Sequence, residues 1–284
     1  IIAAFVIPGY WTIWPPIILL AAVAVIASCE ISSAMWHCLR RPCLSLVIGG
    51  SLFCLLPLAA RLIWQLEVSL LFAAATFAFA LFCLLVFMSA SVIVRLLIDG
   101  PGSFPDAMAT GGSMLYIAFP LTCAVLLLTH LDGGWLWLII GLSAPWVSDV
   151  FAYFTGSLFG RHLIVPALSP KKTIEGSLGG IVGSMLSQML IFHLFRDLLG
   201  RPASRPADYL VFAILSGLLL SIASQLGDWL ASGFKRYCCI KDFGDVLPGH
   251  GGLMDRFDSA FFTLPISLGL AILYQLMFQA GGAG

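Results

Sequence analysis

The run Ser224-Gln-Leu-Gly-Asp228-Trp-Leu-Ala-Ser232-Gly-Phe-Lys235-Arg236 closes an apolar segment. It continues as Tyr237-Cys-Cys-Ile-Lys241-Asp242-Phe-Gly244-Asp245-Val-Leu-Pro248-Gly-His250-Gly-Gly-Leu-Met-Asp255-Arg256-Phe-Asp258, after which the chain turns apolar again. This stretch holds five of the fourteen acidic residues, four of the fourteen basic ones and one of the five histidines. Polar density of this kind between two apolar runs reads as a reversal joining two membrane-crossing helices. Ionisable groups at membrane depth are costly enough that function is their default explanation.

Working outward, 60% of the 284 residues are hydrophobic and 10% charged, with a mean hydropathy of +1.03. Soluble domains carry about 25% charged residues. The fold class is therefore an all-α polytopic membrane protein, with room for about eight to ten spans of roughly 20 residues each. The formal net charge is zero and the basic residues sit at helix ends, not on one patch. That argues against nucleic acid as a partner and for lipids or small anions. Most of the eight cysteines, Cys29, Cys38, Cys43, Cys54, Cys83, Cys123, Cys238 and Cys239, lie in apolar runs without metal-ligand spacing and read as free thiols. Ile1 in place of an initiating Met reads as a trimmed start, and the first run lacks the basic segment and cleavage site of a signal peptide.

Nine helices are expected: Ile1 to Trp14, Ile17 to Trp36 after Pro15-Pro16, Leu44 to Trp64, Val68 to Ile98, Ser113 to Thr129, Trp135 to Phe159, Ile174 to Phe195, Tyr209 to Phe234 and Phe257 to Phe278. The turn-rich Asp99 to Asp106 reads as a connector that cannot continue a helix. Residues 1–110 form an N-terminal helical part and 111–284 the catalytic region of one membrane domain. Arg40, Arg41, Arg95, Arg161, Lys171, Lys172, Lys235, Arg236, Lys241 and Arg256 fall on alternate connections, which the bias of basic residues assigns to the cytoplasm. Arg196, Arg201 and Arg205 fall on the opposite side.

Asp228 near the end of one helix and Asp255 just before the next are placed for a reversal to bring them together. Two close carboxylates need a cation between them, and oxygen ligands of this type suit Mg²⁺ completed by water and substrate phosphate. Lys235, Arg236, Lys241, His250 and Arg256 add cationic or hydrogen-bonding groups, and Gly244, Gly249, Gly251 and Gly252 allow close backbone approach to a bulky ligand. Metal ligands with Lys/Arg clamps are the equipment of phosphoryl and nucleotidyl transfer. No Walker-type loop is present. A second cluster comprises Asp149, Tyr153 and Gly156 on one helix face, then Gly160-Arg161 and Ser169-Pro-Lys171-Lys172-Thr173-Ile-Glu175-Gly176. Ser169 or Thr173 caps the following helix, and two lysines at its start make an anion site. Glu30 and Glu67 read as interfacial, and His37, His130, His162 and His193 as helix-end residues. Gly176-Ser-Leu-Gly-Gly180 and Gly183-Ser184 read as packing faces, with a homodimer built on such faces as a candidate assembly.

The residues Ser232, Phe234-Lys235-Arg236, Lys241-Asp242, Gly244, Leu247-Pro248, His250-Gly251-Gly252, Asp255-Arg256 and Asp258 together resemble the signature of the phosphatidate cytidylyltransferases, the CDP-diacylglycerol synthases. The Ser169 to Gly176 and Asp149 to Gly160 segments are also similar to family motifs. The resemblance implies cytidylyl transfer from CTP to phosphatidate with release of pyrophosphate, Mg²⁺ as cofactor and K⁺ as a candidate second ion. It also implies Asp228 and Asp255 as metal ligands. Lys235, Arg236, Lys241, Asp242, His250, Arg256 and Asp258 would join them in catalysis, with Asp149, Tyr153, Ser169, Lys171, Lys172, Glu175 and Ser232 binding substrate. Ala231 stands where the family usually carries an acidic residue, and Val150-Phe151 where small or hydroxylated residues are common. The implied location is a bacterial cytoplasmic membrane, with the site facing the cytoplasm.

Two other classes compete. An ion-coupled transporter also uses intramembrane aspartates and predicts inverted repeats, which the sequence does not display. A related lipid-linked cytidylyltransferase or a polyprenol-type kinase differs in acceptor or nucleotide.

Overall fold

A computed structural model describes residues 14–64, 70–166, 169, 171–199, 206–246 and 251–279. Among them are eight helices long and apolar enough to cross a membrane. These are α1 (Trp14–His37), α2 (Leu44–Ile63), α3 (Leu70–Asp99), α4 (Phe104–His130), α5 (Gly134–Phe159), α6 (Ile174–Leu194), α7 (Pro206–Tyr237) and α8 (Met254–Phe278). The first expected helix, Ile1 to Trp14, lies outside the described residues apart from Trp14, where α1 begins. Glu67, Pro170, Arg201, Arg205 and Leu247 to His250 also lie outside them.

Helix α4 starts at Phe104, nine residues before the expected Ser113. Pro105 sits in its first turn, where a missing N–H costs nothing, so the proline opens the helix. Gly111 stays helical because it packs on α3: a Cβ there would lie 2.9 Å from Met88 Cγ. Helix α2 tightens into a 3₁₀ turn at Leu52–Leu55, two residues before Pro57, which lacks the amide that would continue the α-helical ladder.

Short connections make the helices alternate in direction, so the segments 38–43, 100–103, 160–166 with 171–173, and 238–246 with 251–253 gather at one end. Contacts across that end agree with this placement. Arg95 donates to the Arg41 carbonyl at 2.8 Å and pairs with Asp99 at 3.1 Å, and Cys38, directly after α1, is disulfide-bonded to Cys238, directly after α7. The cysteine pair corrects the expectation of free thiols. It joins residues 200 positions apart whose Cα atoms the fold brings to 4.9 Å.

Helices α5 to α8 form the tightest part of the bundle. Gly176, Gly179, Gly180 and Gly183 of α6 press on α5, where added Cβ atoms would lie 2.8 Å from the Ala152 carbonyl oxygen, 2.2 Å from Thr155 Oγ1, 2.8 Å from Ser148 Oγ and 2.2 Å from Phe151 Cγ. The expected packing face is thus consumed within the chain. In α5, Pro145 leaves the Gly141 carbonyl without its usual amide, and Thr263 Oγ1 of α8 donates to it at 2.6 Å. Ser267 of α8 donates to the Trp137 carbonyl at 2.6 Å, fixing the same helix pair one turn further along.

Candidate active site

Asp228, Ser232 and Lys235 recur at helical spacing and share one face near the end of α7. The helix is anchored below this face by a polar ladder. Ser148 of α5 and Ser221 of α7 share a hydrogen bond at 2.8 Å, and Gln225 Nε2 donates to Ser221 Oγ at 3.3 Å and to the Ser177 carbonyl of α6 at 3.2 Å. Above the ladder the helices part around a cavity of about 480 Å³ whose lining includes Asp149, Tyr153, Ser169, Lys171, Lys172 and Asp228. That size is ordinary for a small-molecule site.

Residues 160–166 and 171–173 are folded so as to present Lys171 and Lys172. Thr173 caps α6, accepting from the Gly176 amide at 3.1 Å, and the Ile164 amide donates to the Lys172 carbonyl at 3.0 Å. Glu175 accepts from the amides of Arg161 and His162 at 3.1 and 3.2 Å and contacts His162 Nδ1 at 2.6 Å. Glu175 therefore locks the loop and is not among the residues lining the cavity, where the substrate-facing expectation had put it. His162 likewise has a carboxylate partner that its helix-end reading did not foresee. Lys172 is half-buried and pairs with Asp228, whose other oxygen accepts from Ser232 Oγ at 3.3 Å. Burial pushes the Lys172 ammonium down from the usual lysine range, against the pull of Asp149 and Asp258.

The segment after α7 turns back onto the helix end. The Asp255 side chain is 8% exposed and held by three bonds: Lys235 Nζ reaches Oδ1 at 2.8 Å, and the amides of Phe243 and Gly252 reach Oδ2 at 2.8 and 3.1 Å. Phe243 stacks on Phe234 at 5.5 Å and lies under the Lys235 ammonium at 5.4 Å. Gly251 takes φ +78°, a conformation that glycine adopts without penalty. Asp258 is buried and accepts from the Ser259 amide at 2.6 Å. Arg236, Lys241, Asp242 and Arg256 are exposed on the rim of this turn.

Two residues change the sequence reading. Glu30 of α1 is not interfacial: it is 5% exposed and its carboxylate accepts from the Leu253 and Met254 amides at 2.8 and 2.7 Å. Gly244 and Gly252 make room for this carboxylate, since an added Cβ would lie 3.0 Å and 2.8 Å from Glu30 Oε1. Their close approach is to a protein side chain, where the sequence had suggested a ligand. The only signal for Glu30 was an acid inside an apolar run.

Asp149, Asp228, Asp255 and Asp258 thus meet Lys172 and Lys235 in one cluster, with Lys172 in electrostatic reach of Asp149, Asp258 and Lys235. Asp228 and Asp255 each face an ammonium, and among the described residues no three His, Cys, Asp or Glu side chains group as a metal site. The four carboxylates outnumber the three lysines Lys171, Lys172 and Lys235 and offer oxygen donors. That donor set fits a hard divalent cation completed by water and phosphate. Trp229 borders both the cavity and an open groove on α7 lined by Leu226, Leu230, Gly233, Phe234 and Tyr237. The polar site therefore adjoins a surface that faces lipid.

Residues 1–275 match the model of the Cytidylyltransferase family. The chain is 41% identical over 133 residues to a phosphatidate cytidylyltransferase of Staphylococcus epidermidis, covering 47% of this chain and 48% of that protein. It is 40% identical over 130 residues to that of Staphylococcus saprophyticus, covering 46% of each, and 42% identical over 122 residues to that of Staphylococcus aureus, covering 43% of each. The match spans about half the length of these curated relatives. Since the family match runs through nearly all of the sequence, the chain belongs to the cytidylyltransferase family.

Proposed function

We propose that the chain transfers a cytidylyl group from CTP to phosphatidate, forming CDP-diacylglycerol and pyrophosphate. The observation that carries this reading is the joining of a lysine- and aspartate-lined cavity, through Trp229, to an open apolar groove on α7. A charged polyphosphate and a lipid acceptor need those two surfaces to be adjacent. A phosphatidate oxygen attacks the α-phosphorus of CTP, a new P–O bond forms, and the bond to the β-phosphate oxygen breaks with pyrophosphate taking its electron pair. The attacking oxygen is already anionic, so no strong base is required, and electrostatic stabilisation of spreading charge dominates.

Lys171 and Lys172 lie at the cavity to bind phosphate oxygens, and Asp228 orients Lys172. Lys235, oriented by Asp255, extends the positive surface toward the turn. Asp228 and Asp255 would hold Mg²⁺, which supplies charge neutralisation of the polyphosphate, with K⁺ as a second ion. The basic connections support a cytoplasmic setting for this end, where CTP is, and the proposed setting is a bacterial cytoplasmic membrane. Detergent-solubilised protein with Mg²⁺, radiolabelled CTP and phosphatidate tests the reading, with ATP as an alternative donor. CDP-diacylglycerol and pyrophosphate are expected. No product and no CTP binding, or transfer from ATP, would refute it.

A further inference from the structure

We propose that Glu30 is a positioning residue of the active site, acting through the turn that carries Asp255. Glu30 lies seven residues before the end of α1, about 10 Å inside the helix by the rise of an α-helix. An acid at such a place in an apolar helix is costly unless its hydrogen bonds are made. Its two carboxylate oxygens each take one amide, from Leu253 at 2.8 Å and Met254 at 2.7 Å. Leu253 and Met254 open the short helical turn Met254–Phe257, which has no side-chain cap of its own. Glu30 thus caps, from 223 residues away, amides that the turn leaves orphaned.

The residue after those amides is Asp255. Its orientation is set by three bonds, to Lys235, Phe243 and Gly252, and by the direction in which the turn starts. Glu30 also shapes the other side of the loop. A Cβ on Gly252 would lie 2.8 Å from both Glu30 oxygens and 2.8 Å from the Gly244 amide nitrogen. Carboxylate, two glycines and two amides therefore form one interlocked unit whose output is the place of Asp255 and, through it, of Lys235. Both Glu30 oxygens are engaged by protein amides, so Glu30 acts on the reaction through its neighbours and not on substrate.

The test combines kinetics with amide hydrogen exchange on purified Glu30→Gln, Glu30→Asp and Glu30→Ala proteins. Glu30→Gln is nearly isosteric, but its NH₂ group faces an amide N–H in place of an acceptor. We expect kcat to fall about tenfold to a hundredfold in Glu30→Gln, further in Glu30→Ala and less in Glu30→Asp, which keeps the charge. KM for CTP should change little. Exchange should quicken at Leu253 and Met254 and remain as in wild type around the buried Trp137, Phe192 and Tyr274 at the far end of α5, α6 and α8. An unchanged kcat, unchanged exchange at these amides, or faster exchange spread over the whole chain would each overturn the proposal. The kinetic arm rests on the cytidylyl-transfer reading: a wild-type protein without that activity would refute that reading, while exchange at Leu253 and Met254 would still decide whether Glu30 holds the turn.

Discussion

The two ends of the α5 to α8 bundle are built from the same four helices and differ in almost every physical respect. At one end Trp137, Phe192, Phe212 and Tyr274 interlock, with centroids 5.8 Å apart for Trp137 and Phe192, 5.6 Å for Trp137 and Tyr274, and 5.5 Å for Phe212 and Tyr274. The Tyr209 hydroxyl donates to the Phe192 carbonyl there at 2.5 Å. At the other end the helices part, and Asp149 of α5, Asp228 and Lys235 of α7, and Asp255 and Asp258 of α8 meet Lys172 of the connection before α6. The difference teaches a division of labour. Edge-on aromatic packing fixes the helix axes, and the glycine face of α6 sets the α5 to α6 distance. The polar end can then hold charges that do little for stability, because their frame is set elsewhere.

The largest expected effect is on the reaction at the polar end. Asp228→Asn and Asp255→Asn should each lower the rate by at least about two orders of magnitude. The double variant should lose little more, because both residues serve one cluster. Melting temperatures in detergent should stay near wild type for Asp228→Asn. Rate measurements across a Mg²⁺ titration check this: losses that multiply would mean that the two aspartates act separately. Lys235→Ala should weaken substrate handling more than metal dependence, as it removes an ammonium proposed to meet phosphate and leaves Asp255 with its two amides.

The matching test at the aromatic end is Trp137→Ala. Trp137 is 1% exposed and touches three other rings, so its truncation should cost about 3–5 kcal/mol of stability. The fraction that remains folded should turn over at close to the wild-type rate. A stable variant with a lost rate would break the proposed separation of frame and chemistry.

Between the ends, Gly183→Ala probes the spacing. Its Cβ would lie 2.2 Å from Phe151 Cγ, so the ring or the helix must move, at about 1–3 kcal/mol. Because Asp149 lies on α5 two residues before Phe151, a modest rise in KM for CTP should accompany the loss of stability. Thermal melting and steady-state kinetics on the same preparation read both.

What the sequence makes legible follows from the range of the interactions. Hydropathy places the described helices because burial in lipid is a local property of a segment. The signature between Ser224 and Asp258 is legible because spacing along one helix face is also local. Glu30, by contrast, has partners at Leu253 and Met254 that no pattern within α1 announces, and Gly244 and Gly252 show only that something comes close. The start of α4 is misplaced for a different reason: Pro105 can end a helix or open one, here standing in the first turn, and Gly111 is held by its packing on Met88. His250 lies outside the described residues, so its place in the signature rests on the resemblance alone.

The smallest expected effect concerns Cys38 and Cys238 and bears on which compartment each end faces. The pair joins α1 to the end of α7 on the polar side of the bundle. If that side faces the cytoplasm, as the basic connections argue, the cellular environment keeps thiols reduced, and the bond forms on exposure to oxidant. Protein alkylated during cell lysis should therefore carry label on both cysteines, and protein purified in air on neither. Reduction should change the rate only slightly, since Glu30 already holds α1 against the Asp255 turn at 2.8 and 2.7 Å without the sulfur bridge. A disulfide that stabilises a fold typically contributes about 2–4 kcal/mol. Cysteines already bonded at lysis, with a melting shift of that size on reduction, would place the polar end outside the reducing compartment and refute the proposed orientation.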